Sequence, residues 1–165
     1  MDERERDQAL GREFLTWLWA TTELEHGEFE LDGQPTALVV DSELVLGGDD
    51  DQGGIDILRL GEPATSAEAG AALRSGKKAR QVRFLMARDG EEWTFTLDER
   101  LQLRGARLPT SESEHPLDIL ADQLTALRAL GTAVDELFAR FARIRLAANE
   151  WKGELKRLGQ WIADK

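Results

Sequence analysis

The chain has 165 residues, 41% hydrophobic and 32% charged, with a formal net charge of −11 and no cysteine. One domain of this length can bury roughly two thirds of its unfolded surface, and the missing thiol excludes disulfides, thiolate catalysis and cysteine-ligated zinc. No stretch approaches the roughly 18 apolar residues of a membrane span, and the opening MDERERDQ lacks the apolar run of a secretion signal, so a cytoplasmic protein without membrane contact is expected.

The spacing predicts a first helix from about Arg4 to Thr21. Leu10, Phe14, Trp17 and Leu18 recur at i, i+4, i+7 and i+8, one face of a 3.6-residue period. Leu15 and Trp19 widen that stripe beyond what a lone surface helix needs. The stripe therefore reads mainly as core, with Leu15 and Trp19 at an edge where a partner would be met.

From Gly27 the period changes to two. EFEL, TALVVDSELVL and IDILRL read as three antiparallel strands, with a turn at Gly33 and Pro35 and with Ile55, Ile57 and Leu60 facing inward. TSAEAGAALRSG follows as a short helix, with Thr65 or Ser66 as N-cap and Gly76 as its stop. Three more strands come next: ARQVRFLMA, then EEWTFTL after an Asp89-Gly90 hairpin signal, then RLQLRGARLP, ended by Pro109. The order of a helix and three strands thus occurs twice, which suggests duplicated halves at 4–61 and 65–109 within a single domain, 1–165.

TSESEH is a polar link, and Pro116 opens a long helix to about Ala148. Leu117, Leu120, Leu124, Leu127, Leu130, Val134, Leu137, Phe138 and Phe141 carry its apolar stripe. At 1.5 Å per residue this helix is about 45 Å long. It overhangs a small domain, so its far end is expected to pack on another chain. Asn149 is read as the cap of a final helix with Trp151, Leu155, Leu158 and Ile162 on one face, closing a helical part at 116–164. The fold class is α+β: antiparallel strands in two helix–three-strand groups, a long helix and a short final one.

The chemistry-bearing residues are few. His26 and His115 fall in loops without sequence-local partners, and no phosphate-binding glycine loop or nucleophile elbow occurs. GGDDDQGG at 47–54 places three aspartates consecutively, without the alternation and distal glutamate of a calcium loop. No cofactor and no metal is expected. Charge is more informative. Residues 1–60 hold 4 basic and 16 acidic side chains, residues 61–109 hold 9 and 7, and residues 110–165 hold 8 and 9. The one basic stretch is RSGKKARQVRFLMAR. Its Arg74, Lys77, Lys78, Arg80, Arg83 and Arg88 are the candidate nucleic-acid contacts, of the kind that bind phosphates without reading sequence.

LGREFLTWLW (10–19), LRSGKKARQVRF (73–84), EEWTFTLDERLQLRGARLP (91–109) and VDELFARFARIRLAANEWKGELKRLGQWI (134–162) together resemble the C-terminal half of the longer bacterial RdgC-like, recombination-associated proteins. The resemblance implies a non-enzymatic, nucleoid-associated accessory role. RdgC proteins bind double-stranded DNA without sequence preference, form ring-like dimers and restrain the recombinase that loads on DNA. It also implies that a homodimer mate, or a separate RdgC-like N-terminal half, completes the assembly. The competing expectation is a free-standing acidic module that binds a basic protein partner and no DNA. An enzyme using Asp49–Asp51 for metal-assisted chemistry is a third class, for which the sequence supplies no further ligands.

Overall fold

The computed structural model describes residues 2–48, 54–59 and 63–165. The inward-facing Leu60 and the Asp49–Asp51 loop expected from the sequence lie outside the described residues. In chain order the elements are α1 (Glu3–Leu24), β1 (Glu28–Leu31), β2 (Gln34–Gly47), β3 (Ile55–Arg59), a 3-10 turn (Pro63–Thr65), α2 (Ala67–Arg74), β4 (Lys78–Arg88), β5 (Glu91–Asp98), β6 (Leu103–Arg107), α3 (Pro116–Leu146) and α4 (Ala148–Ala163). The fold is α+β, with a six-stranded antiparallel sheet, a long helix and a shorter final helix. No described helix is long and apolar enough to cross a membrane.

Local chemistry places most of these boundaries. Asp2 and Glu5 form a capping box at the start of α1. The Ser66 hydroxyl accepts from the Ala69 N–H at 3.1 Å, making Ser66 rather than Thr65 the cap of α2. Pro116 occupies the first turn of α3, where its missing N–H costs nothing. Asp89 and Gly90 (φ +51° and +77°) make the two-residue turn between β4 and β5, a backbone whose twist suits a hairpin. The final helix departs from expectation: Ala147, without a side-chain cap, precedes α4, and Asn149 lies inside it.

The strands run β1-β2-β4-β5-β6, and β3 pairs with β2 beyond β1 on the same edge. The two helix–three-strand groups therefore pair differently. In the first, β2 carries both of its neighbours end to end; in the second, β5 lies between β4 and β6. Opposite β2, Arg80 is an extra residue in β4, because Val45 pairs with Gln81 and Leu46 with Ala79. This bulge turns the Ala79 N–H out of the ladder, and the Thr16 hydroxyl of α1 accepts it at 2.9 Å.

Helix α1 is the middle layer. It rests on β4 and β2 and is covered from the other side by α3 and α4. From Gly11 to Thr22 nearly every side is buried, Phe14, Leu15, Leu18 and Trp19 completely, the pattern of a helix enclosed by its own protein. The expectation that Leu15 and Trp19 sit at an edge to meet a partner is thereby corrected. Trp19 stacks edge-to-face on Trp161 at 4.9 Å, and both indole N–H groups donate to the Glu23 carboxylate. Lys165 closes this cluster, its ammonium 5.1 Å from each indole ring and paired with Glu23 at 2.6 Å. Leu10 is 38% exposed, because the packed part of α1 begins one residue later.

A second correction concerns β3. Ile57 pairs with Val45 and Ile55 with Gly47, which puts both isoleucines on the sheet face away from the helices, 56% and 54% exposed. Leu58, opposite Leu44, is the β3 residue that packs toward the core.

Candidate nucleic-acid interface

The basic stretch does not gather into one patch. Arg74 is exposed at the end of α2, and Lys77 nearby pairs with Asp56 at 2.8 Å. Lys77 and the half-buried Lys78 also line a cavity of about 270 Å³ with Trp151 and Leu158 of α4. Arg80 is committed to structure: with its side chain 14% exposed, it donates to the Gly48 carbonyl at 3.2 Å and lies 3.7 Å from the Glu99 carboxylate. Arg12 of α1 joins the same two groups, pairing with Glu99 and donating to Gly48 at 3.1 Å. Arg88 is 8% exposed and pins the β1–β2 hairpin, through the Thr36 hydroxyl at 3.0 Å and the Leu31 carbonyl at 3.3 Å. As surface contacts for a ligand, Arg80 and Arg88 are corrected to internal braces. Arg88 faces inward because a strand alternates its sides and it shares the core side with Phe84 and Met86, whereas Arg80 is the bulged residue of β4 and is held by Gly48 and Glu99.

Arg83 is different. It lies on the face of the sheet that no helix covers, where Val39 is also 42% exposed. Its guanidinium donates to the hydroxyls of Thr94 at 3.0 Å and Thr96 at 3.4 Å, with Asp41 at 3.4 Å on its other side. The register continues the row, since Arg83 pairs with Thr96 and Thr96 with Arg104. At the ordinary strand spacing, Arg83 and Arg104 are about 10 Å apart across the sheet. Arg107, opposite Thr94, reaches the same face because β6 bulges between the two arginines. Gly105 makes that bulge possible: its φ is +56°, and a side chain there would stand 3.7 Å from the Arg83 guanidinium. Arg104 pairs with Asp98 at 3.0 Å yet keeps 58% of its side chain exposed, and Arg107 is exposed.

The open face thus carries three arginines in a row. Arg83, its side chain 20% exposed and held by Thr94, Thr96 and Asp41, anchors the row. The exposed Arg104 and Arg107 present guanidinium forks suited to anionic oxygens, with Glu28, Glu30 and Glu92 elsewhere on the same face. Sequence reasoning found Arg83 but missed Arg104 and Arg107. The glycine inside the strand pattern LRGAR was the available signal of a bulge.

The histidines play local parts. His26 turns the chain after α1 with φ +53°, and the His115 ring accepts from the Leu117 N–H at 3.3 Å to cap α3. Among the described residues no cluster of three or more His, Asp or Glu side chains stands ready to hold a metal ion.

Fold and surface together define an α+β protein with its helices on one face of an antiparallel sheet and a basic row on the other. Set against known proteins, the chain matches no family model and no curated sequence.

Proposed function

We propose that this chain is a non-enzymatic accessory protein of the RdgC-like kind, which associates with duplex DNA through the open face of its sheet. The observation that supports this reading is the row of Arg83, Arg104 and Arg107 on a sheet face left uncovered by helices. Arginine forks with adjacent hydroxyls engage phosphate oxygens without reading bases, which suits a protein with no sequence preference. Asp41 and Asp98 pair with Arg83 and Arg104 on this face, so a phosphate must compete with them for the two guanidiniums, whereas Arg107 is exposed.

Fluorescence anisotropy of a labelled duplex, titrated with the full chain at several salt concentrations, tests the proposal. Binding should weaken with salt, with a log–log slope of about −3 for three phosphate contacts. Arg104→Glu with Arg107→Glu should weaken it at least tenfold, whereas Lys77→Glu with Lys78→Glu should leave it within about twofold. If the lysine pair alone abolishes binding, the site is the α2–β4 corner and the sheet-face assignment fails. No retention even at low salt would favour the acidic module that binds a basic protein.

A further inference from the structure

The cavity of about 270 Å³ beside Lys77 and Lys78 opens between α4, α1, α2 and the start of β4. Its walls are apolar: Leu73 of α2 with Trp151, Leu155, Leu158 and Ile162 of α4. Leu158 is buried, whereas Leu155 is 52% exposed and stands at the mouth. One turn further on, Gly159 also lines the cavity, and a Cβ built there would meet nothing within 4 Å. The aromatic wall is preformed. Trp151 meets the ring of Phe141 edge-on at 6.0 Å and carries the Arg145 guanidinium 4.9 Å from its ring centre. Walls fixed in this way lose little further freedom when a ligand arrives.

The polar groups around this space are mainly donors. Thr16 of α1 lines the cavity and is only 8% exposed. Its hydroxyl accepts from the Ala79 N–H at 2.9 Å, and its own proton has no acceptor among the described residues, although a buried hydroxyl ordinarily finds one. Lys77 and Lys78 add two ammonium groups at the α2–β4 corner. Among the described lining residues the one carboxylate, Glu13, is engaged by Arg145 at 2.8 Å.

We infer that this cavity binds a small monocarboxylate with an apolar body. The carboxylate faces Thr16 and Lys78, and the hydrocarbon or ring lies against Trp151, Leu155 and Leu158. The donors select an accepting end, because an amine placed there would stand beside two ammonium groups. A carboxylate instead takes charge-assisted hydrogen bonds in apolar surroundings, where such bonds are strongest. Volume limits the rest of the molecule. At roughly 30 Å³ for each water-sized group, the cavity holds about nine non-hydrogen atoms. Short-chain and single-ring acids fit that limit, and long acyl chains and nucleotides exceed it.

The inference does not depend on DNA association and is tested without DNA. In calorimetric titrations of the full chain, phenylacetate should bind saturably at one equivalent, and roughly tenfold tighter than its neutral counterpart 2-phenylethanol, as a hydrogen bond to a charged group warrants. The indole N–H resonance of Trp151 should shift on titration while that of Trp93 stays in place. Lys78→Met, which keeps the aliphatic stem, should erase the preference for the acid and leave the alcohol bound as before. Gly159→Leu should fill the cavity and abolish binding of both probes. Its melting temperature should hold or rise, since the new side chain meets open space and leucine favours a helix over glycine. No saturable binding at millimolar phenylacetate, equal affinity for acid and alcohol in the wild type, or undiminished binding to folded Gly159→Leu overturns the proposal.

Discussion

Gly11 shows how one residue fixes the seat of α1. A Cβ built there would stand 1.8 Å from the Glu99 carbonyl oxygen, so the helix touches the β5–β6 connection backbone to backbone. Arg12 and Arg80 tie the same Glu99 to the Gly48 carbonyl at the end of β2, so Gly11 lies where three parts of the chain meet. Helix propensity alone favours alanine over glycine by roughly 1 kcal/mol. At this site the clash is with main chain and cannot be relieved by a rotamer change. Gly11→Ala is expected to destabilise by about 2 kcal/mol or more. Gly153→Ala in α4, where nothing lies within 4 Å, should instead stabilise by roughly 0.4–1 kcal/mol. Urea midpoints of the two variants provide the check, and equal shifts of one sign would contradict the packing described.

At the scale of elements, the sheet separates what the sequence makes legible from what it does not. Turns and caps depend on neighbours in the chain, so Ser66, Pro116 and the Asp89-Gly90 hairpin were readable from a few residues each. The facing of β3 was not. Alternation shows that Ile55 and Ile57 share a side, but only pairing with Val45 and Gly47 decides which side, and a slip of one residue reverses it. The basic stretch was misleading for the same reason. Arg83 and Arg88 are five residues apart in one strand, an odd interval, and so point to opposite faces. Arg104 and Arg107, three apart, share a face only because of the bulge at Gly105. The register makes a direct prediction. Ile55→Thr and Ile57→Thr should each change stability by less than about 0.5 kcal/mol, as surface changes do, with strand propensity preserved. Leu44→Ala, fully buried opposite Leu58, should cost about 2–5 kcal/mol. Chemical denaturation of the three variants decides between the two facings, since an inward β3 would make the isoleucine changes the costly ones.

Across the whole molecule, α1 determines how the layers hold together. The sheet has one covered face; α4 reaches it through α1 and α2, while α3 packs on α1 and also meets the sheet directly, at β1 and through Trp93 on Ala126. Phe14 sits at the junction, 6.2 Å from Trp17, 5.2 Å from Phe138 and 5.5 Å from Phe141, ring centre to ring centre. Trp17 extends the link by donating its N–H to Glu154 of α4 at 2.9 Å. A core shared in this way leaves neither the sheet nor the α3–α4 pair a complete apolar interface of its own, so the two should unfold together. Trp93 reports on the sheet together with its contact on α3, where its N–H meets the Ala126 carbonyl, and Trp151 and Trp161 report on α4. Phe14→Ala is expected to cost about 3–5 kcal/mol and to move every probe by the same amount. Fluorescence of variants retaining only Trp93, or only Trp161, should follow one urea transition coincident with far-UV circular dichroism and with an unchanged m value. Were Phe14→Ala to shift the Trp161 transition to lower urea while the Trp93 transition stayed in place, the helical pair and the sheet would be separate folding units. The middle-layer role of α1 would then be wrong.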